Sequence, residues 1–146
     1  MRKGLTLIEL LVVIVILVVL ISLGYPAFNR WYQKNRIESA TRKIYSEIEY
    51  QRMRAYSQGL RLKLEATDKK LIVVNLDNPN DRFVVDLGAP FSGVAYIDRR
   101  GILNSGSIIY SDELDSQPSL SCVIFNGVRV RMGKVVVDNE GRRKCR

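Results

Sequence analysis

Few residues of this chain have the type and placement to do chemistry, and the first is a carboxylate in an unfavourable solvent. In Leu5-Thr6-Leu7-Ile8-Glu9-Leu10-Leu11, Glu9 interrupts a stretch otherwise fit for hydrocarbon. A lone carboxylate there is costly, so it needs either a partner charge or a purpose. The second group is the pair Cys122 and Cys145, 23 positions apart with no CxxC spacing. That spacing argues against a redox dithiol or a zinc knuckle. The third is a basic tail: Arg129, Arg131, Lys134, Arg142, Arg143, Lys144 and Arg146 stand against Asp138 and Glu140. Such a cluster suits phosphate contacts, which do not depend on base sequence. A solvated basic edge that discourages strand-on-strand association is the plainer reading.

Other chemistry is scarce. Asp112-Glu113-Leu114-Asp115 offers oxygens for a hard cation but lacks the EF-hand spacing and glycine. Asp77 to Asp81 reads as turn chemistry. No metal site and no cofactor is expected. The chain has no histidine, which removes Ser-His-Asp and Cys-His nucleophile systems and His-ligated zinc. There is no phosphate loop or nucleophile elbow, so an enzyme is not expected.

The elements that must position these groups follow from hydropathy patterning. Leu5 to Leu23 contains only Thr6, Glu9 and Ser22 besides Leu, Ile and Val. At about 1.5 Å per residue that run is roughly 28 Å long, close to the hydrocarbon thickness of a bilayer. Sixteen aliphatic residues favour insertion by on the order of 7 kcal/mol, against about 3 kcal/mol or less for one carboxylate near the end. Arg2 and Lys3 precede the run, so the positive-inside rule keeps the N-terminus cytoplasmic and sends the body outward. No A-x-A cleavage site follows the apolar core, as a secretory signal peptide would require. In an exported protein, Cys122 and Cys145 read as one disulfide; two unpaired thiols are the alternative.

Beyond Pro26 the pattern stays helical. Phe28, Trp31 and Tyr32 cluster near the membrane exit, as interfacial rings do. Ile37, Thr41, Ile44, Ile48, Gln51 and Ala55 then recur at spacings of three, four and seven, one face of an amphipathic helix that stops at Gly59. From Leu60 the period becomes two. Strands are expected over 60–66, 71–76, 82–86, 94–98, 107–110, 121–125, 128–132 and 134–138, with Asn126-Gly127 as a hairpin turn. The fold class is therefore α+β, a long N-terminal helix packed on a C-terminal antiparallel β-domain. The net charge is +8, from 23 Lys and Arg against 15 Asp and Glu, and a basic body points weakly to a polyanion or acidic surface as partner.

The stretch Lys3-Gly4-Leu5-Thr6-Leu7-Ile8-Glu9 resembles the signature of type IV prepilins. The resemblance implies that a prepilin peptidase cuts between Gly4 and Leu5 and that Leu5 becomes a methylated N-terminus. Glu9 then corresponds to the glutamate that sets register by neutralising the amine of a neighbouring subunit; pairing within one chain is the alternative. The family usually has Phe where this chain has Leu5. The implied organisation is a leader at 1–4, a membrane and filament-core helix at 5–25, an amphipathic helix at 26–59 and a β-domain at 60–146. It implies residence in the inner membrane, then assembly with other pilin subunits. The helix end Arg52 to Gly59 and the tail Val135 to Cys145 are similar to the GspH/FimT minor pilin subgroup of pili and type II secretion pseudopili. That likeness implies a subunit that initiates or caps assembly. Some members bind double-stranded DNA through a C-terminal Gly-Arg-x-Arg. Here the stretch is Gly141-Arg142-Arg143-Lys144, and Lys144 keeps the charge but loses the bidentate fork.

Overall fold

The computed structural model describes residues 6–113, 116–138 and 140–146. One helix, α1, runs from Leu7 to Gln58. Thr6 caps its start, and Gly59 ends it in the left-handed conformation at φ 65°, where its N–H reaches the Ala55 carbonyl. The helix is continuous through Pro26. Its two halves have different surroundings. From Leu7 to Ile21 the aliphatic side chains are all exposed, as are Tyr25, Phe28, Trp31 and Tyr32. Among the described residues the first buried is Ile37; Ala40, Thr41, Ile44, Ile48, Gln51 and Ala55 follow. The expected inward face is therefore the face that packs.

It packs on a seven-stranded antiparallel sheet. The strands are β1 (Leu62–Thr67), β2 (Lys70–Asn75), β3 (Arg82–Asp86), β4 (Phe91–Ile97), β5 (Leu103–Tyr110), β6 (Cys122–Gly127) and β7 (Arg129–Gly133). Their order across the sheet is β3-β2-β1-β4-β5-β6-β7. The one non-local step carries the chain from edge strand β3 past β2 and β1 to β4. Alternation does the rest: Leu62, Leu64, Ala66, Leu71, Val73, Phe91, Ala95, Ile97, Ile108, Val123 and Phe125 join the helix in one core. Two further strands, β8 (Val135–Val137) and β9 (Arg143–Cys145), form a separate hairpin.

Three details depart from the sequence reading. First, β4 begins at Phe91 rather than Val94, and the register shifts between Ser92 and Ile97. Gly93 sits there at φ 144°, where a Cβ would lie 2.5 Å from the Ser107 carbonyl oxygen. The extra residue is on β5, between Leu103 and Gly106, where its pairings with both neighbours shift by one. β5 begins at Leu103 rather than Ser107, and this bulge breaks the two-residue period that the eye follows in a sequence. Second, Asn126 pairs with Arg129, so the turn is Gly127-Val128, with Gly127 at φ 62°. The pairing slides without exchanging faces: Phe125 opposes Val130, and both lie on the core side. Third, β9 has no strand pattern of its own. Arg143-Lys144-Cys145 is extended because Val135 pairs with Cys145, Val136 with Lys144 and Val137 with Arg143.

Candidate functional site

The start of α1 is built by a reciprocal cap. The Thr6 N–H and hydroxyl both donate to Glu9 Oε2 at 3.0 Å, and the Glu9 N–H donates to Thr6 Oγ1 at 3.3 Å. The first turn of any helix leaves N–H groups without partners, and this box supplies two of them. Glu9 therefore has a partner within its own chain, although it stands in an apolar run. The sequence signal was Thr6-x-x-Glu9 ahead of the hydrophobic segment, a pattern the register reading passed over. Gly4 and Leu5, the expected cleavage and methylation positions, lie outside the described residues.

Cys122 and Cys145 form a disulfide with Cα atoms 5.8 Å apart. Cys122 alternates with Val123 and Phe125, so it leaves the sheet on the face opposite α1. The bridge thus clamps the β8–β9 hairpin over that outer face. Three backbone hydrogen bonds extend the clamp: Lys134 and Arg146 exchange both of theirs, and the Ser121 N–H donates to the Gly133 carbonyl. Val135, the first residue of β8, is buried, and a Cβ at Gly133 would run into the Arg146 carbonyl.

The basic residues of the tail divide into two sets. Lys144 Nζ lies 2.8 Å from Asp138 and Arg142 Nε 3.7 Å from it, and Arg142 also pairs with Glu140. Lys144 foremost, then the Arg142 backbone N–H, holds the Asp138 carboxyl below its ordinary value. Arg143 is half-buried and donates to the Tyr110 carbonyl at 3.4 Å. Arg142 and Lys144 are thus engaged within the hairpin, and Arg143 reaches across to β5. Arg129, Arg131 and Lys134 are exposed, as is Arg146, and none has a carboxylate partner among the described residues. They run along edge strand β7 and into the base of the hairpin.

The acidic stretches are also placed. Asp77 accepts from Arg61 at 2.8 Å and from Arg99 at 3.2 Å, which pulls its pKa down to about 2. Asp81 accepts from Arg54 at 2.6 Å and from Asn75 at 3.2 Å. Asp81 thus ties its loop to the C-terminal end of α1, and Asp77 ties the same loop to the segment just after the helix and to the β4–β5 turn. Asp112 and Glu113 line an open cleft of about 370 Å³ together with Arg36, Lys69 and Tyr110. Burial, then Asp112, pushes the Tyr110 phenol up. Leu114 and Asp115 of the same loop, and Asn139 of the tail, lie outside the described residues.

Residues 1–25 match the family of the prokaryotic N-terminal methylation motif. No curated protein and no solved structure matches the chain significantly. The motif and the apolar, exposed first half of α1 together are consistent with a membrane-anchored, type IV pilin-like protein.

Proposed function

We propose that this chain is a minor subunit of a type IV pilus or a pseudopilus, one that helps initiate or cap assembly. A prepilin peptidase cuts it between Gly4 and Leu5, and Leu5 is methylated. Until assembly it waits in the inner membrane as a single-pass protein with the β-domain outside the cytoplasm. The observation that carries this reading is the first half of α1. Its aliphatic side chains are exposed over Leu7–Ile21, and the methylation motif lies on the same segment. An apolar helix of this length has two homes, a bilayer and a bundle of like helices. Moving from one to the other is filament assembly.

Glu9 has a defined part in that transfer. In the isolated chain it is satisfied by Thr6. In a filament it neutralises the new amine of a neighbouring Leu5, and a subunit out of register leaves both charges unpaired in a dry core. Glu9→Ala should therefore block incorporation into filaments while the β-domain stays folded. The check is sheared-filament yield beside a urea transition on the whole-cell membrane fraction. An E9A chain that enters filaments at the normal level would sink the register argument. The role proposed here involves no catalysis.

A second reading is favoured by one observation, the exposed cations Arg129, Arg131, Lys134 and Arg146 along one edge, without a carboxylate partner among the described residues. They suit the phosphates of double-stranded DNA, as in a DNA-uptake subunit. Changing Arg129, Arg131 and Lys134 together to Ala should weaken DNA binding. It should also lower the log–log salt slope by roughly 0.9 per lost phosphate contact. Changing Arg142, Arg143 and Lys144 should do less, because Asp138 and Glu140 already pair with Arg142 and Lys144 and Arg143 is half-buried against the Tyr110 carbonyl. An absence of DNA binding at low salt would leave the filament role standing alone.

A further inference from the structure

The apolar run alone places the bilayer over Leu5 to Leu23, but three features of α1 argue for a different frame. The first is the cap. In that frame Glu9 and the Thr6 box lie inside hydrocarbon, about 6 Å deep at the helical rise for Glu9. The charge and the remaining first-turn N–H groups would then be without water. The second is the stalk. Twelve residues lie between Gly24 and Ile37, the first buried side chain among the described residues, and over them Tyr25, Phe28, Trp31 and Tyr32 are all exposed. Trp31 would stand about 12 Å above Leu23, beyond a headgroup layer roughly 5–8 Å thick. The third is charge. From Leu10 to Ile37 there is no acid, and Arg30, Lys34 and Arg36 all fall in the stalk.

A slide of five residues satisfies all three. Leu10–Phe28 is again 19 residues, about 28 Å long, and matches the hydrocarbon equally well. Glu9, its cap and any amine at Leu5 then lie in the cytoplasmic headgroup layer, in contact with water. At the other side Arg30, Trp31 and Tyr32 stand about 3 to 6 Å above Phe28 and Lys34 about 9 Å, within reach of headgroups for rings and flexible cations. The Phe28 and Trp31 rings, with centroids 5.9 Å apart, straddle the boundary.

We infer that in its membrane-anchored form α1 holds Leu10–Phe28 in hydrocarbon, and that the stalk bearing Arg30, Trp31, Tyr32 and Lys34 is a binding surface for anionic phospholipid headgroups. This rests on the membrane-anchored reading above. The partner is set by chemistry: Asp112 and Glu113 share a cleft with Arg36, but Arg30 and Lys34 have no carboxylate partner among the described residues, and these cations beside aromatic rings at the boundary fit a layer of phosphodiester anions. The stalk thereby fixes the height of the β-domain over the membrane before assembly.

Trp31 is the only tryptophan, so the full chain carries its own probe. Reconstituted into phosphatidylethanolamine–phosphatidylglycerol vesicles, Trp31 should be quenched more by lipids brominated near the headgroup end of the acyl chain than by lipids brominated near the methyl end. Acrylamide should quench it several-fold less than it quenches a free tryptophan analogue. Single-tryptophan chains made by Ile14→Trp or Val19→Trp in a Trp31→Phe background locate the midpoint. Deep bromines should quench position 19 more than position 14, and the reverse order would overturn the frame. Arg30→Gln with Lys34→Gln should raise acrylamide access to Trp31 towards that on pure phosphatidylcholine; no change would overturn the anionic partner. A chain that floats with vesicles but leaves Trp31 fully open to acrylamide overturns the headgroup surface alone and leaves the stalk rings for a neighbouring subunit. A chain that does not float with vesicles removes the membrane anchor as well.

Discussion

At the scale of single residues, a few carboxylates with named partners do most of the defining work. Glu9 closes the first turn of α1 with Thr6. Asp77 ties Arg61 and Arg99 to one loop, and its pKa of about 2 lies below the ordinary 3.8. A carboxyl depressed on folding contributes stability above its unfolded pKa and loses that contribution as pH falls through the folded value. Asp77 therefore supports the fold fully above about pH 4, and its share fades between there and a pH of about 2. We expect the urea midpoint of the full chain in detergent to fall over that window and Asp77→Asn to flatten part of the fall. Asp98 and Asp138 are also held low, so some slope should remain. A midpoint whose acid dependence is identical in wild type and Asp77→Asn would remove Asp77 from this account.

At the scale of elements, the β8–β9 hairpin is the piece least able to stand alone. It has only three paired positions, and a short two-stranded ribbon is marginal by itself. The Cys122–Cys145 bridge and the Lys134–Arg146 backbone exchange fix it to the sheet. Closing a loop of this separation stabilises by roughly 3 kcal/mol in the chain-entropy model. Replacing both cysteines with serine should lower unfolding free energy by about that amount. It should also open 134–146 to proteases while α1 and β1–β7 remain resistant. The readout is the order of fragments in limited proteolysis, together with the urea midpoint. Cleavage that begins in the β2–β3 loop instead would show that the bridge does not hold the hairpin. Part of this element was legible: two cysteines in an exported chain read as a bridge. The strand β9 was not, because Arg143-Lys144-Cys145 carries no alternation and is extended only through its partners.

At the scale of the whole molecule, α1 joins two units with different solvents, and the boundary falls at Ile37. Ile37, Ile44 and Ile48 are all buried, and each is worth roughly 1.5–3 kcal/mol on burial. Together they rival the ~5–15 kcal/mol net stability of a typical domain. A chain beginning at Phe28 should keep a cooperative near-ultraviolet transition, and one beginning at Gln51 should have none. A folded Gln51 fragment would mean that the sheet supports itself. The apolar run, the inward face of α1, its stop at Gly59 and most strands were readable in the sequence, because each is a local pattern of period 3.6 or 2. The α+β class followed from their order along the chain. Tertiary structure alone decided that β1 lies between β2 and β4, that β5 bulges between Leu103 and Gly106, and that the hairpin turns at Gly127-Val128. It also decided that Asp138 takes up Arg142 and Lys144 while Arg129 and Arg131 stay open. Those outcomes depend on which distant segments meet, and period and composition carry no record of a partner far along the chain.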